Sequence, residues 1–418
     1  MQRRHFLSLT GATAALASIR TSFAHQLEST QLPGTTASRF RQMRSWYLLD
    51  DAVVYLNHAS IGTVPRAVVQ AYQGYLEVYE SNPWLYQWSD GWTEGVEKTR
   101  SSMADFIGCR NDEVAVTHNT TEGFNILAGG LPLTADDEVL FSSLNHTGAS
   151  LCWYHQARRR GFQVRRFPFP VDRAAELTAD EMLRIYGDQI SSRTRVLVFP
   201  EIDNVVGIRY PVKRLAALAR SKGVRYVAVD AAQAVGMIPV NVAEMGIDFY
   251  SGSPHKWLQA PKGVGVFYLS KEVQKDLSPM WVTWGQDRWT GTARIFADYG
   301  TRDIAQVLAL GDAIEFHLRV SMEDRIARLK QLRSHTIERV DASSHLVWRS
   351  PRDQEIGSSL YAVEVQGKDS REVSQKLLEG HGFVFRAFRN MGLNTIRLSP
   401  NIVNTREEID RFVDLTVG

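Results

Sequence analysis

From residue 114 onward the chain alternates between short apolar runs and longer amphipathic stretches. Residues 114–117, 139–142, 196–199, 226–229, 249–251 and 264–269 are rich in β-branched or aromatic side chains, the composition of buried strands. Stretches between them, such as 213–221, carry apolar residues at helical spacing. Regular alternation of the two predicts an α/β fold, a largely parallel sheet with crossover helices. Upstream, Tyr55-Leu-Asn-His-Ala-Ser-Ile-Gly62 reads as a short strand entering a small-residue loop, and Val64-Pro65 opens the next helix. Trp84, Trp88 and Trp92 recur every fourth residue and would share one face of a helix. Such a face is expected to pack, internally or against another subunit, rather than to do chemistry.

Parallel sheets gather their ligands at the carboxyl ends of the strands, so the loops after each run carry the chemical expectation. Asn119-Thr120-Thr121-Glu122-Gly123 follows the first run and sets two hydroxyls at a helix start, where free N–H groups and the helix dipole favour a phosphate. Asn145-His146 follows the second, Asp203-Asn204 the third, Asp230 with Gln233 the fourth, and Ser253-Pro-His255-Lys256 the fifth. Each has an ordinary explanation alone: Thr120 as a cap, His146 as a surface histidine, Asp230 as a turn acid, Lys256 as a solvated loop lysine. Five polar strand ends in succession fit that account poorly. Jointly they meet the needs of pyridoxal phosphate, which takes a lysine for its aldehyde, a carboxylate for its ring nitrogen and donors for its phenolate oxygen. It also takes phosphate ligands and a planar group over the ring. Lys256, Asp230, Gln233 with Asn204, Thr120 and Thr121 with Ser253 and His255, and His146 can fill these roles in turn.

Length and charge narrow the classes. At 418 residues two domains are the natural expectation. The 48 basic and 46 acidic side chains nearly cancel, which argues against nucleic acid or an anionic membrane as partner and for small molecules and self-association. Cys109 and Cys152 lack the spacing of a zinc site and are expected to be buried free thiols, with a single disulfide as the lesser alternative and no metal. The first two dozen residues differ from the rest. Arg3-Arg4-His5-Phe6-Leu7 opens a mild apolar run and Ser22-Phe23-Ala24 offers small residues for cleavage, a pattern that resembles a twin-arginine export signal. Arg20 interrupts the run, which is too short to span a membrane. The mature chain is then expected to begin near His25, with the formal charge falling from +2 to about −1 and the export machinery as a transient partner. A periplasmic or secreted location follows, and that export route suits a protein that takes up its cofactor before leaving the cytoplasm.

The motifs Tyr55-Leu-Asn-His-Ala-Ser-Ile-Gly, Asn119-Thr-Thr-Glu-Gly-Phe-Asn, Val229-Asp-Ala-Ala-Gln and Ser253-Pro-His-Lys-Trp together resemble the class V aminotransferase fold of pyridoxal phosphate enzymes. The likeness is to the isopenicillin N epimerase-like branch, related to cysteine desulfurases. It implies a fold type I large domain with a smaller α+β C-terminal domain. The divisions expected are a signal at 1–24, an N-terminal segment packing near the small domain at 25–61, the cofactor domain at 62–303 and the small domain at 304–418. The resemblance implies Lys256 as the Schiff-base lysine, Asp230 at the ring nitrogen, His146 stacked on the ring, Asn204 and Gln233 at the ring hydroxyl, and Thr121, Ser253 and His255 on the phosphate. It further implies that Thr301, in Gly300-Thr-Arg-Asp, reaches the neighbouring subunit's cofactor in a homodimer, and that Arg397 clamps the substrate carboxylate. Asn57 and His58 sit in a loop on the substrate side, His58 as a candidate second proton donor. Residues 382–395 contain no cysteine, a departure from the desulfurase pattern that argues against a persulfide mechanism. The expected activity is work at the Cα and amine of an amino acid or small peptide through an external aldimine. Epimerase-like, lyase or tailoring chemistry on secreted metabolites such as peptide siderophores is expected first. Transamination, a C–S lyase without a catalytic cysteine, and a non-catalytic ligand-binding homodimer remain the alternatives.

Overall fold

A computed structural model describes residues 17–24, 26–27, 40, 42–88 and 90–416. Arg3, Arg4 and His25, on which the export reading turns, lie outside the described residues. Residues 17–24 are helical, and Phe23 and Leu27 are buried in the main core.

Strand β1 (Val54–Tyr55) belongs with the C-terminal part of the chain. The next seven strands are β2 (Val114–Thr117), β3 (Glu138–Ser142), β4 (Gln163–Phe167), β5 (Thr194–Pro200), β6 (Tyr226–Asp230), β7 (Phe249–Gly252) and β8 (Gly265–Leu269). They form one sheet in the order β2-β8-β7-β6-β5-β3-β4. Neighbours are parallel from β7 through to β4, while β8 is antiparallel to both β7 and β2. Two reversals restore direction, so β2 points the same way as β3 to β7. All five polar loops therefore leave the same edge of the sheet.

Helices α1 (Arg66–Ser81), α2 (Thr93–Ile107), α3 (Thr120–Gly130), α4 (Thr147–Arg160), α5 (Ala179–Gln189) and α6 (Val212–Ser221) precede or connect these strands. In α6 the buried residues Val212, Leu215, Ala216 and Ala219 form one stripe, the helical period read from sequence. Alternate residues along each strand enter different cores. Leu197, Phe199, Val227, Val229 and Tyr250 join one, while Val196, Val198, Ala228 and Phe249 join the other. Covering both faces is what allows strands without polar alternation, such as β6 with every residue buried. Strand β4, Gln163-Val-Arg-Arg-Phe, was not among the predicted runs. It is one of the two outer strands, and Phe167 is its only fully buried residue.

After β8, α7 (Ile304–Leu318) packs against α1 and α2. Helix α8 (Met322–Asp341), β9 (Leu346–Trp348), β10 (Tyr361–Val365), α9 (Ser370–His381), β11 (Phe383–Val384), β12 (Arg386–Phe388), β13 (Thr395–Leu398) and α10 (Arg406–Thr416) complete the chain. An antiparallel sheet β12-β13-β10-β9 forms here, over a separate core that includes Trp348, Val363, Leu398 and Phe412. β1 pairs in parallel with β11, and His58 N donates to Ser399 O at 3.2 Å, which fastens the N-terminal segment to this sheet.

The three tryptophans do not share one helix face. α1 stops at Ser81, a separate helix covers Pro83–Trp88, and Trp92 is buried against Tyr75 and Tyr86. Pro83 explains the break, because its ring excludes the preceding residue, Asn82, from helical geometry. Trp84 and Trp88 remain exposed.

Candidate active site

A cavity of about 250 Å³ opens at the carboxyl edge of the large sheet. Thr120, Thr121, His146, Asn204 and Asp230 line it from the loops after β2, β3, β5 and β6. Gln233, Ser253, His255 and Lys256 line it from the loops after β6 and β7, and Arg397 enters from β13. The site thus lies where the two parts of the chain meet.

Local sequence explains each placement. Asn119 caps α3 by accepting from Glu122 N at 3.0 Å, which sets Thr120 in the first turn. Thr120 Oγ1 and Ser253 Oγ are 2.7 Å apart, joining the phosphate-type loop to the lysine loop. His146 caps α4, its Nδ1 accepting from Gly148 N at 3.1 Å. With Nδ1 as acceptor, the proton of the neutral ring sits on Nε2. A Cβ on Gly148 would fall 2.6 Å from Thr121 Oγ1 and 3.1 Å from His146 Nδ1, so the absence of a side chain keeps a gap open between them. Asp230 ends β6, buried, its Oδ1 accepting from Ala232 N at 2.9 Å. Gln233 is held on both sides, donating to Ala59 O at 2.9 Å and accepting from Trp257 Nε1 at 2.8 Å.

Lys256 is partly buried in the turn after β7. Gly62 N donates to His255 O at 2.8 Å, and a Cβ on Gly62 would lie 2.0 Å from Lys256 O. Only a glycine lets the N-terminal loop lie this close to the lysine loop. Burial lowers the Lys256 amine to about 8, with Asp230 opposing the shift and Arg397 and Arg386 reinforcing it. His146 is lowered as well, by burial first, against Asp230 and with Lys256, Arg386 and Arg397. His255 falls to about 4 through burial and the nearby Lys256 and Lys262, and its buried Nδ1 has no partner among the described residues. At neutral pH both rings are uncharged and the lysine is close to giving up its proton.

Arg397 is 2% exposed. Its Nη1 donates to Asn204 O at 2.8 Å, and its Nη2 donates to Asn57 Oδ1 at 3.0 Å and to Ser60 Oγ at 2.6 Å. Asn57 therefore reaches the site through Arg397 rather than by lining the cavity. His58 does not join the group. It is fully buried, with Nδ1 3.2 Å from Ser399 O and its ring edge-on to Tyr55, and burial takes it down to about 3. Thr301 is exposed, outside this cavity. Arg386, from β12, lines the cavity and was not singled out from sequence, and neither was Ser60. Arg386 lies between Phe385 and Phe388 in a run that reads as an ordinary strand, whereas Ser60 is one of several small residues in the loop after β1. Cys109 and Cys152 are unpaired and away from the cavity, each pushed up to about 12 by burial.

The donor set fits pyridoxal phosphate: a lysine of lowered proton affinity near an aspartate, a neutral histidine beside them, and hydroxyls at a helix N-terminus. A mainly parallel α/β sheet presenting that set at its carboxyl edge defines a pyridoxal phosphate enzyme of fold type I. The chain belongs to the class V aminotransferase family, whose profile, Aminotransferase class-V, matches residues 54–412. It is similar to isopenicillin N epimerase of Streptomyces clavuligerus, 29% identical over 392 residues that cover 90% of this chain and 97% of the relative. In three dimensions it is similar to the apo cysteine desulfurase of Thermococcus onnurineus NA1, with a TM-score of 0.79 at 24% identity, covering 89% of this chain and 96% of that one. It is also similar to a lysine-to-alanine variant of C-DES with glycine covalently linked to its pyridoxal phosphate. There the TM-score is 0.80 at 21% identity, with coverage of 89% and 98%.

Proposed function

We propose that this chain is an exported pyridoxal phosphate-dependent enzyme that acts at the Cα and amine of an amino acid or a small peptide. The observation that carries the reading is the convergence of Lys256, Asp230, His146 and Arg397 on one cavity from separate strand ends. Lys256 would hold the cofactor aldehyde, Asp230 the proton of its ring nitrogen, and Thr120, Thr121, Ser253 and His255 its phosphate, with Asn204 and Gln233 beside the ring oxygen. When bound, the cofactor supplies an electron sink for charge left at the substrate Cα. Arg397 then takes the substrate carboxylate, its planar fork already oriented by Asn57, Ser60 and the Asn204 carbonyl. Lys256, once its amine is free, is placed to take or return a proton at Cα. A persulfide route would need a thiol at the site, and among the described residues neither cysteine lines the cavity. Epimerase-like, lyase and tailoring outcomes share these residues, and likeness to isopenicillin N epimerase supports an epimerase-like outcome.

Export by the twin-arginine route rests on Arg3-Arg4 and the mild run after them. We also infer a homodimer in which Thr301 reaches the neighbouring cofactor. The purified protein is expected to absorb visible light, to bleach on borohydride treatment and to carry the cofactor's mass on Lys256. A colourless protein with unmodified Lys256 sinks the reading. Mass spectrometry of products from secreted-metabolite extracts then separates epimerisation, with no mass change, from elimination, transamination and decarboxylation.

A further inference from the structure

Arg386 has no role so far, yet its place in the sheet is informative. β12 and β13 pair antiparallel with Arg386 directly opposite Arg397. Residues opposed in that way project from the same face, and two like charges there repel. Both guanidinium groups lie against the ring of Phe388, at 5.1 Å for Arg386 and 5.4 Å for Arg397, and both line the cavity. Their surroundings differ. The terminal nitrogens of Arg397 are held in place by Asn204, Asn57 and Ser60, with one Nη1 hydrogen left for a ligand. Arg386 is exposed, and among the described residues its side chain forms no hydrogen bond or ion pair.

The charge of Arg386 disfavours the protonated forms of Lys256, His146 and Arg397, whereas His255 responds to Lys256 and Lys262. Arg386 therefore stands near enough to Lys256, His146 and Arg397 for its charge to act on them. Among the lining residues, Asp230 is the single acid against Lys256, Arg386 and Arg397. The lining therefore carries more cations than acids.

We propose that the substrate carries a second acidic group besides its α-carboxylate and that Arg386 binds it, so that the site takes an acidic amino acid or a peptide that presents one. The proposal rests on the reading in which Arg397 takes the α-carboxylate. A carboxylate on Arg386 forms a charge-assisted, two-pronged pair and relieves the repulsion with Arg397.

Calorimetric titration with glutarate and with its monoamide, glutaramate, at one fixed ionic strength tests this. Neither probe has an amine, so neither depends on the cofactor. Wild-type protein is expected to bind glutarate at least about tenfold more tightly than glutaramate. Arg386→Gln is expected to bring that ratio to about one, and Arg386→Lys to retain part of it. Equal binding by the wild type, or a preference that survives Arg386→Gln, overturns the proposal. The visible spectrum of the same samples reports the cofactor separately. A colourless protein that still prefers glutarate through Arg386 removes the cofactor reading and upholds the second acid site.

Discussion

An ordinary lysine amine holds its proton up to a pH near 10.5, and fewer than about one in a hundred is neutral at pH 8. Lys256 is lowered to about 8, so about half of it is neutral there. The sign follows from burial. Removing the ammonium from water costs more than Asp230 returns, and Arg397 and Arg386 add to the cost. The neutral amine is the nucleophile, so cofactor-free protein should react with pyridoxal phosphate at a rate that rises with pH and levels off above about 8. Stopped-flow absorbance checks this, and a rate that keeps climbing to pH 10 would remove the special character of Lys256. The same physics works in the opposite direction on the thiols. Burial pushes Cys109 and Cys152 up to about 12, which leaves them protonated and unreactive at neutral pH.

At the scale of elements, the ends of β5, β6 and β7 are tied together beneath the site. Glu201 N, just past β5, donates to Asp230 O at 2.9 Å, and Tyr250 OH in β7 donates to Glu201 Oε2 at 2.7 Å. Glu201 is fully buried, and burial raises it from 4.5 to about 7 against the pull of Tyr250 and Arg209. In the folded chain it takes up a proton between those two values, whereas the unfolded chain is already ionised there. Its contribution to stability therefore falls as pH rises from about 4.5 to about 7, and the cost of a buried charge is complete above that. Glu201→Gln keeps the acceptor for Tyr250 and removes the charge. The variant's stability relative to wild type is expected to improve by up to about 3 kcal/mol between pH 5 and pH 8. Urea unfolding at the two pH values measures it, and an unchanged difference sinks the assignment.

These elements also mark what can be read from sequence. Strands β2, β3, β5, β6, β7 and β8 are legible because burial on both faces leaves unbroken apolar runs, and the loop after each run is then found by position alone. β4 is not legible, since an outer strand with Gln163, Arg165 and Arg166 carries no apolar signature. Arg386 was hidden for another reason. Its meaning lies in standing opposite Arg397, a register set by the turn between β12 and β13, which no local pattern encodes. His58 fails in reverse: a loop histidine beside a helix start looks available in sequence, yet β1 and Ser399 seal it inside the molecule.

At the scale of the whole molecule, the feature a single chain leaves unexplained is an aromatic surface. Trp284 is 90% exposed, Val282 88%, Trp84 72% and Trp88 60%. Exposed apolar residues of this size that share one surface mark an interaction site, and two of these indoles do share one. Trp88 and Trp284 border a groove of about 560 Å³ that also includes Gly300 and Arg302, the neighbours of Thr301. The loop that carries Thr301 is itself firmly placed. Tyr299 OH donates to Glu122 Oε1 at 2.8 Å, Trp281 stacks on the Tyr299 ring at 4.4 Å, and Arg302 donates to Val116 O at 2.7 Å. Glu122 lies in the first turn of α3, so the loop is anchored to the same helix start that bears Thr120 and Thr121. A second copy seated on this surface would cover the indoles and bring the two sites near the contact. Light scattering is expected to give the mass of a dimer. An interface of standard size buries about 800 Å² per partner and draws most of its affinity from a few aromatic anchors worth about 2 kcal/mol each. Trp88→Ser with Trp284→Ser should then weaken association by a factor of several hundred or more, about thirtyfold for each residue, and yield monomers at micromolar concentration. Both side chains are solvent-facing in the single chain, so the melting temperature of the monomer should not fall with them. A wild-type protein that runs as a monomer at every concentration overturns the shared-site arrangement, and Thr301 is then an ordinary turn residue.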